Sequence, residues 1–234
     1  MRKKLTIGVM IGNANAPHTK ALMRSISEAA EKMDVNVIFF LSVHMKNFFR
    51  EYLGSGTESY YDYQYNVVYD YVNMCDVDGL IISYGSLGAF LENKDKQAFF
   101  DKYNHLPFVL TEDYDETCKG SSVISDNYNG MYELVEHLVN VHGYRKLLLL
   151  AGPETNMDSK EREKAFKDVV AKYNIDFTDA MLRRGNYSAN CTQQVAELLD
   201  AYPDADVLVC ANDVMAYAAY QECERRGLIV GKDI

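Results

Sequence analysis

The stretch Leu5-Thr-Ile-Gly-Val-Met-Ile-Gly12 is apolar almost throughout, the character of a strand buried on both faces of a parallel sheet. Leu22, Ile26, Ala29, Ala30 and Met33 follow at helical spacing, and Asn36 to Leu41 then reads as a second strand. Strand, helix, strand is the parallel crossover unit. Working outward, the sequence predicts a helix around Tyr65 to Met74, a strand at Gly79 to Ser83, a helix near Lys94 to Tyr103 and a strand at Phe108 to Thr111. The pattern restarts with a strand-like Val123 to Ser125. Met131, Leu134, Val135, Leu138 and Val139 form one helical stripe ended by Gly143. Lys146 to Ala151 is a strand, and Arg162, Phe166, Val169, Val170 and Tyr173 share the next helix. Met181 to Arg184, a helix at Thr192 to Ala201, a strand at Val207 to Ala211 and a helix at Val214 to Arg226 complete the series.

This alternation predicts an α/β protein with parallel sheets covered on both faces. Eight units could close a barrel, but Glu112 to Ser122 is polar and carries Gly120-Ser-Ser122, as a crossing between lobes would. The expectation is therefore two doubly wound parallel-sheet lobes, residues 1–122 and 123–234, with an inter-lobe ligand cleft. Ligands of such sheets lie at the carboxyl ends of the strands. That singles out Gly12 to His18, Ser83 to Gly88, Asp126 to Asn129, Gly152 to Arg162, Gly185 to Tyr187 and Asn212 to Asp213.

Composition excludes several function classes. The 234 residues carry 34 acids against 24 bases, a net charge of -10, and no basic run longer than Arg2-Lys-Lys4. Phosphates must be neutralised by clustered cations, so direct nucleic-acid binding by this segment is not expected. The five cysteines are scattered without a C-x-x-C, which argues for reduced, mostly buried thiols. Met1-Arg-Lys-Lys, the apolar Leu5 to Gly12 and Ala14-Asn-Ala16 imitate a signal peptide, but Thr6 and Gly8 interrupt a barely long enough apolar run. No stretch approaches the length of a membrane span. A cytoplasmic chain without membrane contact is the expectation.

Familiar chemistry is missing. Gly54-Ser-Gly56 has no preceding strand and no third glycine, so it is no dinucleotide fingerprint, and there is no phosphate-binding P-loop. Tyr84-Gly-Ser86-Leu-Gly88 lacks the first glycine of a nucleophile elbow and reads as a turn. His137 and His142 are five apart, roughly 140° around a helix, which would keep them from gripping one metal. Asp113, Asp115 and Glu116 read as solvated charge in a polar connection. No cofactor and no metal site is expected.

The second half carries a series of segments in a recognisable order. Asp126-Asn127-x-x-Gly130, Glu136-His137-Leu138 and His142-Gly143-Tyr-Arg-Lys lead into Leu147 to Pro153. Ser159-x-x-Arg162-x-x-x-Phe166, Gly185-Asn-Tyr187-Ser188, Cys210-Ala-Asn212-Asp213-x-Met215-Ala216 and Arg226-Gly-Leu-Ile-Val-Gly-Lys-Asp-Ile234 follow. This series resembles the sensor domain of LacI/GalR-type regulators, which share the type I periplasmic-binding-protein fold. The first half matches more loosely, through Leu5 to Gly12 and Cys75-Asp-Val-Asp-Gly79-Leu-Ile-Ile-Ser83. Against the family pattern, the chain has no helix-turn-helix headpiece and stops at Asp233-Ile234, so a second lobe truncated at its C-terminal end is expected. The tyrosine-rich Tyr60-Tyr-Asp-Tyr-Gln-Tyr65 fits members whose sensor precedes a signalling output such as a diguanylate cyclase.

The resemblance places Arg162 at the cleft, where its planar fork suits vicinal hydroxyls or a carboxylate; a helix-surface arginine paired with Glu161 or Glu163 is the alternative. Asn212 offers a donor and an acceptor to sugar hydroxyls, while Asp213 caps the following helix. Tyr187 would stack on a sugar or base face, or pack the lobe. Asp126 and Asn129 fall where the family places polar ligand contacts, and Asn127 shapes the turn. Asn13, Asn15 and His18 line the first loop, His18 touching ligand or capping the next helix, and Ser83 ends the third strand. The tyrosines of Tyr60 to Tyr71 supply a cleft wall or a partner surface. The function expected is sensing of a small, sugar-like or nucleoside-like molecule by a homodimeric bacterial regulator of transcription or of a fused output. The alternative is an enzyme on the same fold, which lacks an assembled nucleophile, base and orienting group.

Overall fold

A computed structural model describes residues 3–42, 62–88, 93–115, 118, 120–154 and 156–234. The chain divides into two compact units, Met1–Ser125 and Asp126–Ile234.

In the first unit β1 (Thr6–Gly12), β2 (Asn36–Ser42), β3 (Gly79–Ser83), β4 (Phe108–Thr111) and β5 (Ser121–Val123) form one sheet in the order β2-β1-β3-β4-β5. Every pair is parallel. The helix α1 (Pro17–Met33) joins β1 to β2, and α2 (Val67–Asp70), α3 (Tyr84–Gly88) and α4 (Asn93–Asp101) follow. Successive strand residues face opposite sides, so Met10 packs with Leu80, Ile82, Leu110, Phe99, Phe100 and Tyr103 while the equally buried Val9 and Ile11 face the other way. Buried phenols keep partners: Tyr69 donates to the Ile11 carbonyl at 3.0 Å and Tyr103 to the Tyr69 carbonyl at 2.9 Å.

Two expectations for this unit are corrected. The helix around Tyr65 to Met74 is broken into a 3-10 turn at Asp62–Asn66, the short α2 and another 3-10 turn at Tyr71–Met74. Its buried residues Tyr69 and Val72 stand three apart, the repeat of the tighter helix. The strand expected at Val123 to Ser125 is Ser121–Val123, and it pairs with β4 in the first sheet instead of opening the second. Gly120-Ser-Ser122 is therefore no crossing, and the first unit runs to Ser125. All three β5 residues are exposed, as an edge strand allows, so no apolar run marked it.

The second unit holds α5 (Asn127–Asn140), β6 (Leu147–Ala151), α6 (Met157–Lys172), β7 (Leu182–Arg184), α7 (Thr192–Ala201), β8 (Val207–Cys210) and α8 (Asp213–Arg226). Its parallel sheet has the order β7-β6-β8. Every residue of β6 is buried. Leu148 and Leu150 pack against Val195, Leu198, Met215 and Ala218 of α7 and α8. Leu147, Leu149 and Ala151 pack on the other face against Met131, Val135, Phe166 and Val169 of α5 and α6. Helices thus cover both faces of the central strand, which is double winding. No helix among the described residues is long and apolar enough to cross a membrane.

Candidate ligand-binding site

The strand orders contain the geometry of a binding site. In β2-β1-β3 and in β7-β6-β8 the winding reverses beside the first strand of the unit, between β1 and β3 and between β6 and β8. Open parallel sheets bind ligands beyond the carboxyl ends of the strands at such switch points.

In the first unit, Asn13 directly follows β1 in a left-handed conformation (φ 48°), its N–H donating to the Ser42 carbonyl at 3.0 Å. Asn15 and His18 are exposed. The N-cap of α1 is Ala16 with no side-chain cap, so His18 does not take the capping alternative. Instead its Nε2 lies 3.7 Å from Glu112 Oε1 and 3.2 Å from Thr19 Oγ1. Ser83 is buried at the end of β3, donating to Glu112 Oε2 at 2.5 Å and sharing a 2.7 Å hydrogen bond with Ser86 Oγ. The Ser86 N–H also donates to Glu112, and the Gly12 N–H donates to Ser86 Oγ. Glu112 holds this polar set together from a left-handed conformation (φ 72°), a strained backbone of the kind that gathers at functional sites. The buried Thr111 Oγ1 beside it has no hydrogen-bond partner among the described residues. Sequence reasoning missed Glu112, although it follows a parallel strand as the singled-out loops do.

In the second unit, Arg162 Nε and Nη2 donate to the Oδ1 of buried Asn127 at 2.9 and 2.5 Å, and Nη1 donates to the Ala211 carbonyl at 2.6 Å. Asp158 Oδ2 stands 3.8 Å from Nη2. Arg162 is thus no helix-surface arginine paired with Glu161 or Glu163; Glu163 is occupied by Lys167 and Arg184. Asn127 does more than shape a turn, because it fixes the guanidinium. Asp126 is the N-cap of α5: its carboxylate accepts from the Asn129 N–H at 3.1 Å and from Nδ2 at 2.8 Å, bonds that hold it below the usual carboxylate range. Both Asp126 and Asn129 are exposed.

Tyr187, left-handed at φ 59°, lays its ring against Gly152 and donates to Asn156 Oδ1 at 3.2 Å. Burial pushes its phenol up to about 12 against the opposing pull of the Arg162 charge. Asn156 itself caps α6 through the Ser159 N–H. Asn212 corrects another expectation. It, and not Asp213, caps the following helix, Oδ1 accepting from the Met215 N–H at 2.9 Å. Asp213 sits in the first turn, where a carboxylate complements the helix dipole. Arg162, Tyr187 and Asn212 gather at the carboxyl ends of β6 and β8; Ser83 and His18 gather on Glu112.

Other expectations also change. His137 and His142 do meet, Nε2 to Nε2 at 3.2 Å, because α5 ends at Asn140 and the helical repeat does not reach His142. Asp113 is buried, and Asp115 accepts from the hydroxyl of Tyr84, so these acids are not simply solvated. Tyr84-Gly-Ser86-Leu-Gly88 is a helical turn whose tyrosine is buried. Gly54, Gly56, Tyr60, Tyr61 and Glu116 lie outside the described residues. All five cysteines are free thiols, with Cys191 and Cys223 buried and Cys210 pushed up to about 12, chiefly by burial. Among the described residues no group of three or more His, Cys, Asp or Glu could hold a metal ion.

Two lobes of doubly wound parallel sheet, each with a polar set at its switch point, define a binding fold. Residues 105–234 match the family model described as the periplasmic binding protein domain. The chain belongs to that family, as a sensor domain of the LacI/GalR type. It is 26% identical over 161 residues to the HTH-type transcriptional repressor PurR of Aliivibrio fischeri (strain MJ11), covering 68% of this chain and 46% of that protein. It is 30% identical over 118 residues to the sucrose operon repressor of Escherichia coli, covering 48% of this chain and 35% of that one. The crystal structure of the lac repressor dimer bound to operator and the anti-inducer ONPF shares the fold, with a TM-score of 0.75 and 23% identity over 100% of this chain and 73% of that chain. The chain therefore spans less than half the length of these repressor sequences. Its family makes this segment a regulatory ligand-binding domain and not an enzyme.

Proposed function

We propose that this chain senses a small polyhydroxylated molecule, a sugar or a nucleoside-like compound, within a cytoplasmic bacterial regulator, and that binding controls transcription. The observation that carries the reading is the clamp on Arg162 at the end of β6 and β8. Its three hydrogen bonds to Asn127 and Ala211 engage three of the five guanidinium N–H groups and fix the plane of the fork at the strand ends. Asn212, with Oδ1 engaged as a cap, adds its amide NH2, and Tyr187 adds a flat apolar face. The first unit, by itself, carries a second polar set, Glu112 with Ser83 and His18, whose acceptors and donors also suit hydroxyl groups. Asn13, Asn15, Asp126 and Asn129 would serve at the margins of these sets. The relative named as a sucrose operon repressor favours a sugar, the PurR relative favours control of transcription, and the lac repressor dimer favours a homodimer.

A thermal-shift screen of sugars, nucleosides and small acids tests the proposal. One ligand class should raise the melting temperature without being consumed, a concentration of 100 times Kd being worth about 2.7 kcal/mol. No shift with any sugar or nucleoside at millimolar concentration, or turnover of the compound that binds, overturns it.

A further inference from the structure

The second unit holds a pair of side chains that the ligand-binding reading does not use. His137 lies on the last turn of α5, and His142 in the turn that leads to β6, at the end of that strand away from Arg162. Their Nε2 atoms are 3.2 Å apart while the ring centres are 5.0 Å apart, so the two rings converge at their nitrogens. Two imidazole nitrogens at about 2.0–2.1 Å from one tetrahedral ion stand roughly 3.3 Å from each other.

We propose that His137 and His142 form a two-imidazole site for a divalent transition-metal ion of the zinc, nickel and copper group. Imidazole suits these ions, and both residues are exposed, so water can fill the remaining coordination positions. The turn that presents His142 is fixed before any ion arrives. The Val141 N–H donates to the His137 carbonyl at 2.9 Å, and the Tyr144 N–H donates to the Leu138 carbonyl at 3.2 Å. Gly143 takes the left-handed backbone (φ 75°) the reversal needs. Arg145 Nη1 ties the turn down through the Val139 and Tyr144 carbonyls. The His142 ring stacks on Tyr144 at 5.4 Å, which holds its plane. The C-terminal end of a helix and a chain of net charge -10 both favour a cation here.

The competing account is a plain hydrogen bond from one neutral imidazole to the other, which calls for no ion. Titration of the 234-residue protein with Zn2+ alone at neutral pH, followed by calorimetry, separates the two. One saturable equivalent is expected, weakened at least about tenfold in His137→Gln and in His142→Gln and unchanged in His105→Gln. Circular dichroism checks that the variants fold, and His142→Asn serves if His142→Gln does not. Absence of a saturable equivalent, or wild-type affinity in a folded variant of either position, overturns the site. Neither outcome bears on the Arg162 set, which lies at the other end of the strand.

Discussion

Asn127 Oδ1 accepts two hydrogen bonds from Arg162, one from Nε and one from Nη2, and so joins the first turn of α5 to α6 across 35 positions of sequence. The fork is therefore aimed before a ligand arrives, the condition under which charge-assisted bonds give most affinity. Arg162→Ala should weaken ligand binding at least tenfold, since each such bond is worth about 1.5–3 kcal/mol. It should also destabilise the fold by about 1–3 kcal/mol, because the buried Asn127 carbonyl oxygen loses the two hydrogen bonds it accepts from Arg162. Calorimetry with the ligand found by screening and urea unfolding measure the two effects. Unchanged affinity would remove Arg162 from the site.

Asn127→Ala tests the clamp from the other side. The guanidinium stays charged but loses two of its three hydrogen bonds, so affinity should fall by about tenfold while Arg162 remains in the chain. A variant that binds as tightly as the parent would show that the clamp does not orient the fork.

Gly152 sits against Tyr187, and a Cβ there would stand 2.5 Å from Cε1 and 2.7 Å from Cζ of the ring, with Ser159 Oγ at 2.8 Å. Tyr187 has little room to retreat, as its left-handed backbone and its bond to Asn156 fix it. Gly152→Ala should cost about 1–3 kcal/mol by overpacking and should weaken ligand binding with it. Urea denaturation with an unchanged midpoint would contradict this contact.

What the sequence reveals and what it hides follow one physical division. The strands β3 and β6 read directly because burial on both faces leaves a continuous apolar run, and α7 reads because its stripe repeats at helical spacing. β5 is hidden because an exposed edge strand needs no apolar residues. Arg162, Tyr187 and Ser83 are candidates from their places at or beyond the ends of parallel strands, a rule of topology, with the resemblance adding to the case for Arg162. Glu112 is not, and although Asn127 and Asn156 lie in the loops so singled out, their bonds stay hidden, since each of the three acts through a partner about 30 residues away or more that only folding brings near. The exchange of roles between Asn212 and Asp213 turns on one residue of helix boundary, which the sequence does not fix.

Glu222 is 4% exposed, yet it accepts from Arg225 and Arg226, and Arg226 continues to Asp200 and to the Ala196 carbonyl of α7. The hydrogen bonds from Arg225, then those from Arg226, outweigh burial and hold its carboxyl at about 2, against 4.5 for an ordinary glutamate. A depressed folded-state value means stability that is fully present above pH 4.5 and is lost as pH falls from 4.5 through about 2. Glu222→Gln should lower the melting temperature at neutral pH and flatten its fall across that acid window. Parallel acid limbs for the two proteins would show that Glu222 carries no such linkage.

The last prediction concerns nucleic acid. Residues 1–234 carry a net charge of -10, and many of their surface cations already face carboxylates: Lys146 meets Asp204, Lys164 meets Asp168, Lys172 meets Glu136, and Arg183 meets Glu197. A DNA-binding surface must instead neutralise phosphates with clustered, available cations, and each phosphate contact adds to the salt dependence of binding. Breaking these pairs to reach phosphates would sacrifice the attraction that association is meant to gain. These 234 residues should therefore bind duplex DNA no more tightly than the non-specific range of roughly 10⁻⁴–10⁻⁶ M at physiological salt. Fluorescence anisotropy with a randomised duplex pool provides the measurement. Sequence-selective binding at nanomolar concentration would mean that the acidic balance does not govern this surface.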